Sequence, residues 1–124
     1  MTRPLLDNTL SSMQANIPLM DESGQAVPFA LSILRSPDGR CQICKISKTG
    51  PTSPPAETSL TVLNTLATLS FGQTCWLPNP DEPTLRITGQ GKLVEVRENR
   101  ASSEALFMNL ADLQAVLAKL ASAG

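Results

Sequence analysis

Apolar and polar positions follow two different periods along this chain, and the places where one gives way to the other mark out its elements. In PLLDNTLSSMQANI (4–17), Leu6, Leu10, Met13 and Ile17 recur at steps of four, three and four. That spacing predicts a short amphipathic helix, with Pro4 tolerated in its first turn. Pro18 ends it, and DESG (21–24) turns the chain. Val27, Phe29, Leu31 and Ile33 then alternate with Ala26, Pro28, Ala30 and Ser32, which predicts a strand with one apolar face. Pro28 has no N–H to give a ladder, so this strand is expected at a sheet edge over its first half. SPDG (36–39) predicts a hairpin turn into a second strand, Arg40 to Ser47.

KTGPTSPP (48–55) is a connector rich in breakers. Ser53, Pro54, Pro55 and Glu57 then predict the start of a second helix near 55–70, with Leu60, Val62, Leu63, Leu66, Ala67 and Leu69 as a wide apolar stripe. No charge falls between Thr58 and Pro80, so this helix is expected to be covered on more than one face. Gln73 to Leu77 reads as a strand, 84–88 and 92–98 as a second hairpin around GQG, and ALFM (105–108) as a short strand. Asn109 caps a last helix with Asp112 three positions on, and Leu110, Leu113, Val116, Leu117 and Leu120 form its stripe. The expected fold is a single α+β domain over 1–124. It has three helices and an antiparallel sheet of about five strands, in the order α-β-β-α-β-β-β-α, with the helices on one face.

Composition narrows the function classes. With 124 residues, 41% hydrophobic, 17% charged and a net charge of −1, the chain can bury a core and offers no general polyanion surface. Arg35, Arg40, Lys45 and Lys48 lie around one hairpin with no aromatic residue among them, which reads as a solvated edge, and nucleic acid is not expected as a partner. No stretch is apolar enough for membrane insertion, and three cysteines without a leader sequence point to a reducing cytoplasm. Histidine is absent, as are nucleophile and phosphate-binding motifs, so neither an enzyme nor a cofactor is expected.

RCQICK (40–45) contains the one motif-like spacing, Cys41 and Cys44. In a strand, residues three apart face opposite sides of the sheet, so the two thiols can neither share a metal ion nor form a relaxed disulfide. They read as small hydrophobes, and no metal site is expected.

Three segments carry a resemblance. NIPLMDESGQAVPFALS (16–32) is similar to the first-helix, acidic-turn, first-strand pattern of the class I effector chaperones of bacterial type III secretion. TSLTVLNTLATLSFGQTCWLPNPDEPTLRITG (58–89) is similar to that family's long second helix leading into strand, acidic turn and strand. NLADLQAVLAKL (109–120) is similar to its closing helix. The resemblance implies a secretion-chaperone-like domain that acts as a homodimer. Such a protein binds the N-terminal region of a cognate secreted effector in extended form, keeps it secretion-competent and helps target it to the secretion apparatus. By position it implies a dimer interface at Leu63, Leu66, Leu69 and Trp76. It also implies effector-binding patches at Leu6, Leu10, Met13, Val27, Phe29, Leu31 and Ile33, with strand addition supplying main-chain hydrogen bonds.

Two other classes compete. One is a generic α+β interaction or regulatory adaptor domain with no secretion role, in which the same apolar residues are core. The other is a small thiol-dependent enzyme built on Cys75 or Cys41, which would lack a histidine partner.

Overall fold

The computed structural model describes residues 12–101 and 103–122. In chain order these form β1 (Met13–Met20), β2 (Ala26–Arg35), β3 (Arg40–Ser47), β4 (Gly50–Pro51), β5 (Ala56–Ser59), α1 (Leu60–Leu66), β6 (Thr74–Leu77), β7 (Leu85–Gln90), β8 (Leu93–Glu98), β9 (Leu106–Asn109) and α2 (Leu110–Ser122). The expected order of three helices and about five strands is therefore wrong. Among the described residues there are two helices and nine strands, and the fold is mostly antiparallel sheet.

The helix expected over 4–17 is the largest departure: its described part, from Met13 on, belongs to the strand Met13–Met20. A step of four from Met13 to Ile17 fits a helical face and a strand face equally well, because four is also a multiple of two. The deciding signal is Leu19, which is buried with Ile17 while Asn16 and Pro18 are exposed, a period-two alternation. Pro18 is tolerated because β9 pairs with β1 only at Met20, opposite Phe107, so no ladder bond is missed beside the proline. Leu6 and Leu10 lie outside the described residues.

β2 is open on its β3 side over Ala26–Pro28, as expected for the start of the strand, and is internal from Phe29 on. It lies between β1 and β3, and Pro28 falls where the β1–β2 register shifts and before the β3 pairing begins at Phe29. The proline thus occupies an irregularity that needs no donor from it. The connector after β3 also holds more structure than its prolines suggested. Gly50 and Pro51 pair with Ser47 and Ile46, and Ala56–Ser59 pairs with Ile43 to Arg40. Helix α1 consequently starts at Leu60, with the Ser59 hydroxyl accepting from the Val62 N–H at 3.2 Å, rather than near residue 55.

The sheet runs β4-β3-β2-β1-β9-β8-β7-β6, with β5 sharing the β4 edge of β3. It curls into a half-barrel, and its two ends approach each other where β5 comes back beside β6. The inner face carries Ile17, Leu19, Leu31, Ile33, Ile43, Ile87, Val94 and Val96, and the core closes with Leu63 and Leu66 of α1 and Leu113, Leu117 and Leu120 of α2. Gly89 makes one of these approaches possible. A Cβ there would stand 2.6 Å from the Ser70 carbonyl oxygen and 2.8 Å from that of Leu69, so only glycine lets the chain after α1 lie on β7.

Candidate functional site

Strand register sorts the side chains of β1–β3 onto two faces, and each face presents a concave feature. The outer face carries Gln14, Ser32, Leu34, Gln42, Cys44 and Ile46, because Ser32 pairs with Cys44, Leu34 with Gln42 and Ala30 with Ile46. Together with Pro51 and Pro55 of the connector these residues line a groove of about 510 Å³. The groove is mixed in character. Leu34, Cys44, Ile46 and the prolines supply apolar wall, and the Gln14 side-chain amide donates to the Ser32 hydroxyl at 3.0 Å. One bank is stiff, since the Thr52 N–H donates to the Lys45 carbonyl at 2.8 Å and the Lys45 N–H donates to the Ser53 hydroxyl at 3.0 Å. These bonds seal the β3 edge between β4 and β5.

The inner face holds a buried ion pair. Lys45 continues the inward series Cys41, Ile43, and Glu98 continues Val94, Val96 on β8. The Lys45 ammonium donates to Glu98 Oε2 at 3.0 Å, and the two side chains are only 8% and 5% exposed. The Arg100 guanidinium donates to the same oxygen at 3.3 Å, and the Phe29 ring centroid lies 4.5 Å from the Lys45 Nζ. The charge pattern around the hairpin predicts a solvated edge for Lys45, and the structure buries it. The signal for its burial was present in the period-two phase, which both Lys45 and Glu98 share with flanking apolar residues.

The residues implied by the resemblance are distributed differently from the expected patches. Leu31 and Ile33 are fully buried in the core and offer no surface to a client. Met13, Val27 and Phe29 are partly buried against that core. Leu63 and Leu66 are 0% and 1% exposed inside the chain's own core, so they are unavailable as a dimer surface, while Leu69 and Trp76 are half-buried. Trp76 packs under the Arg86 guanidinium, 5.5 Å from its ring centroid. Among the described residues the most exposed large apolar side chain is Phe71, at 78%, in the turn between α1 and β6.

The three cysteines are free thiols. Cys41 faces inward and is buried, whereas Cys44 faces outward into the groove. Burial pushes all three thiols up from the ordinary cysteine range, and at Cys41 the Arg35 guanidinium partly opposes the rise. This is the opposite of what a nucleophilic thiolate needs. Among the described residues no helix is long and apolar enough to cross a membrane. No protein-family model matches the chain, and no curated protein and no solved structure matches it.

Proposed function

We propose that this protein is a binding protein that holds an extended segment of a partner protein along the outer-face groove. The observation that carries the reading is the groove itself: about 510 Å³, rimmed by half-buried apolar side chains and by side-chain amides that can bond a peptide backbone. A main chain laid there can bond to Gln14 and Gln42 whatever its sequence, while Leu34, Cys44 and Ile46 select for apolar side chains. Burial raises the thiols of Cys75 and Cys41, on which the thiol-enzyme alternative rests, and this favours the binding reading over it.

The sequence resemblance supplies the biological form of this proposal, although 16–20 is strand rather than helix and α1 spans only Leu60–Leu66. The protein is a type III secretion chaperone of the bacterial cytoplasm, and the segment it holds is the N-terminal region of a secreted effector. It works as a homodimer. With Leu63 and Leu66 committed to the core, the contact falls on the surface of the uncharged Thr58–Pro80 stretch, at Leu69, Phe71 and Trp76.

The test is co-purification and secretion of the effector with wild type and with Leu34→Asp and Ile46→Asp. These half-buried outer-face positions can take a carboxylate without opening the core. The proposal requires both variants to fold, to lose the effector and to lower its secretion. A folded Leu34→Asp variant that retains the effector refutes the groove as its seat, and secretion that does not depend on the protein refutes the chaperone form and leaves an adaptor.

A further inference from the structure

At one end of the half-barrel, beyond the Lys45–Glu98 pair, lies a cavity of about 290 Å³ between β2 and the loop after β8. Val27, Phe29 and Leu106 form its apolar wall, and Lys45, Arg100 and Ser103 supply polar groups. An ammonium has three N–H donors and no acceptor. One Lys45 donor goes to Glu98 and another can face the Phe29 ring, so one remains without an acceptor among the described residues. Two cations converge on the single carboxylate of Glu98: the buried Lys45 ammonium and the Arg100 guanidinium, which is largely exposed at the rim. Glu104, the other acid on the cavity wall, is exposed at the rim, where water and salt screen it.

We propose that this mouth is a binding site for a carboxylate carried on a short apolar stem. The carboxylate accepts from the spare Lys45 N–H and from the Arg100 guanidinium, and the stem packs against Val27, Phe29 and Leu106. The site lies on the inner face of the sheet, opposite the groove, and stands whether or not the groove holds a client. A short fatty acid and the C-terminal residue of an apolar peptide present the same chemistry.

Titration of the full-length protein, followed by amide ¹H–¹⁵N spectra, tests this with hexanoate, 1-hexanol, and an apolar tripeptide with either a free or an amidated C-terminus. Saturable shifts are expected at the amides of Val27, Phe29, Lys45, Ser103 and Leu106 with hexanoate or the free-acid peptide, and not with hexanol or the peptide amide. Which of the two acids binds more tightly identifies the source of the carboxylate. Arg100→Gln changes a largely exposed side chain and should weaken binding about tenfold. The paired variant Lys45→Met with Glu98→Leu, which removes both buried charges, should abolish it. Equal shifts from acid and alcohol, unchanged affinity in Arg100→Gln, or no saturable response to either acid overturns the proposal.

Discussion

Lys45 on β3 and Glu98 on β8 meet at 3.0 Å, although β2, β1 and β9 stand between their strands in the sheet. Only a curled sheet can bring those two positions together, so the pair is both a result of the curl and a clasp across its mouth. Thr52 extends the clasp, its hydroxyl lying 3.2 Å from the Lys45 carbonyl and 3.5 Å from Glu98 Oε2.

Breaking the pair on one side leaves a buried charge without its partner, so Glu98→Gln should cost roughly 3–5 kcal/mol, read as a lowered urea midpoint. Replacing both, as Lys45→Met with Glu98→Leu, should recover most of that loss, because neither desolvated charge remains. A single variant within about 1 kcal/mol of wild type would show that the clasp contributes little at this site.

Gly89→Ala should destabilise by about 1–3 kcal/mol, because the new Cβ meets two backbone carbonyls rather than a side chain that can swing away. Thermal unfolding measures the loss. Backbone amide shifts should spread to residues 69–73, since Gly72 N–H also donates to the Gly89 carbonyl at 2.8 Å.

Burial raises the Cys44 and Cys75 thiols, so less thiolate is present at neutral pH than in an unperturbed cysteine. Alkylation by iodoacetamide at pH 7 should be slower than that of a free thiol and should still be climbing where a free cysteine has levelled off. Fast alkylation at neutral pH would revive a thiol-dependent reaction.

Leu66 and Phe71 should behave in opposite ways. Leu66→Ala empties a buried site and should cost about 2–5 kcal/mol with no change in the solution mass of the folded protein. Phe71→Asp alters a side chain that is 78% exposed, so stability should hold while light scattering reports loss of the proposed dimer. An unchanged dimer in Phe71→Asp would move the contact away from this turn.

Local chemistry in the sequence marked several elements well. The turn at 36–39, the hairpin around Gly91, the strand through 106–108 and the last helix all lie where turn residues or apolar stripes indicated. The N-terminal reading failed at Met13 and Ile17, whose separation suits either period, whereas Pro28 marked the part of β2 that has no β3 partner. The candidate site was legible only in part. The alternation across RCQICK placed Cys41 and Cys44 on opposite faces, but no local pattern could show that Lys45 would find Glu98 on a strand 53 residues away. That contact comes from sheet order and curl, which arise from long-range pairing.

The most direct test of the central claim is photo-crosslinking in the protein's own cells, with a benzophenone amino acid placed at position 34 or 46 in the groove, or at position 86 on the outer face of β7. The groove account predicts that positions 34 and 46 capture one protein, through its N-terminal region by peptide mass mapping, and that position 86 does not. Equal capture of that same protein at all three positions, or its capture at position 86 alone, would contradict it, whereas a second copy of this chain captured at position 86 would report the proposed dimer contact beside Trp76.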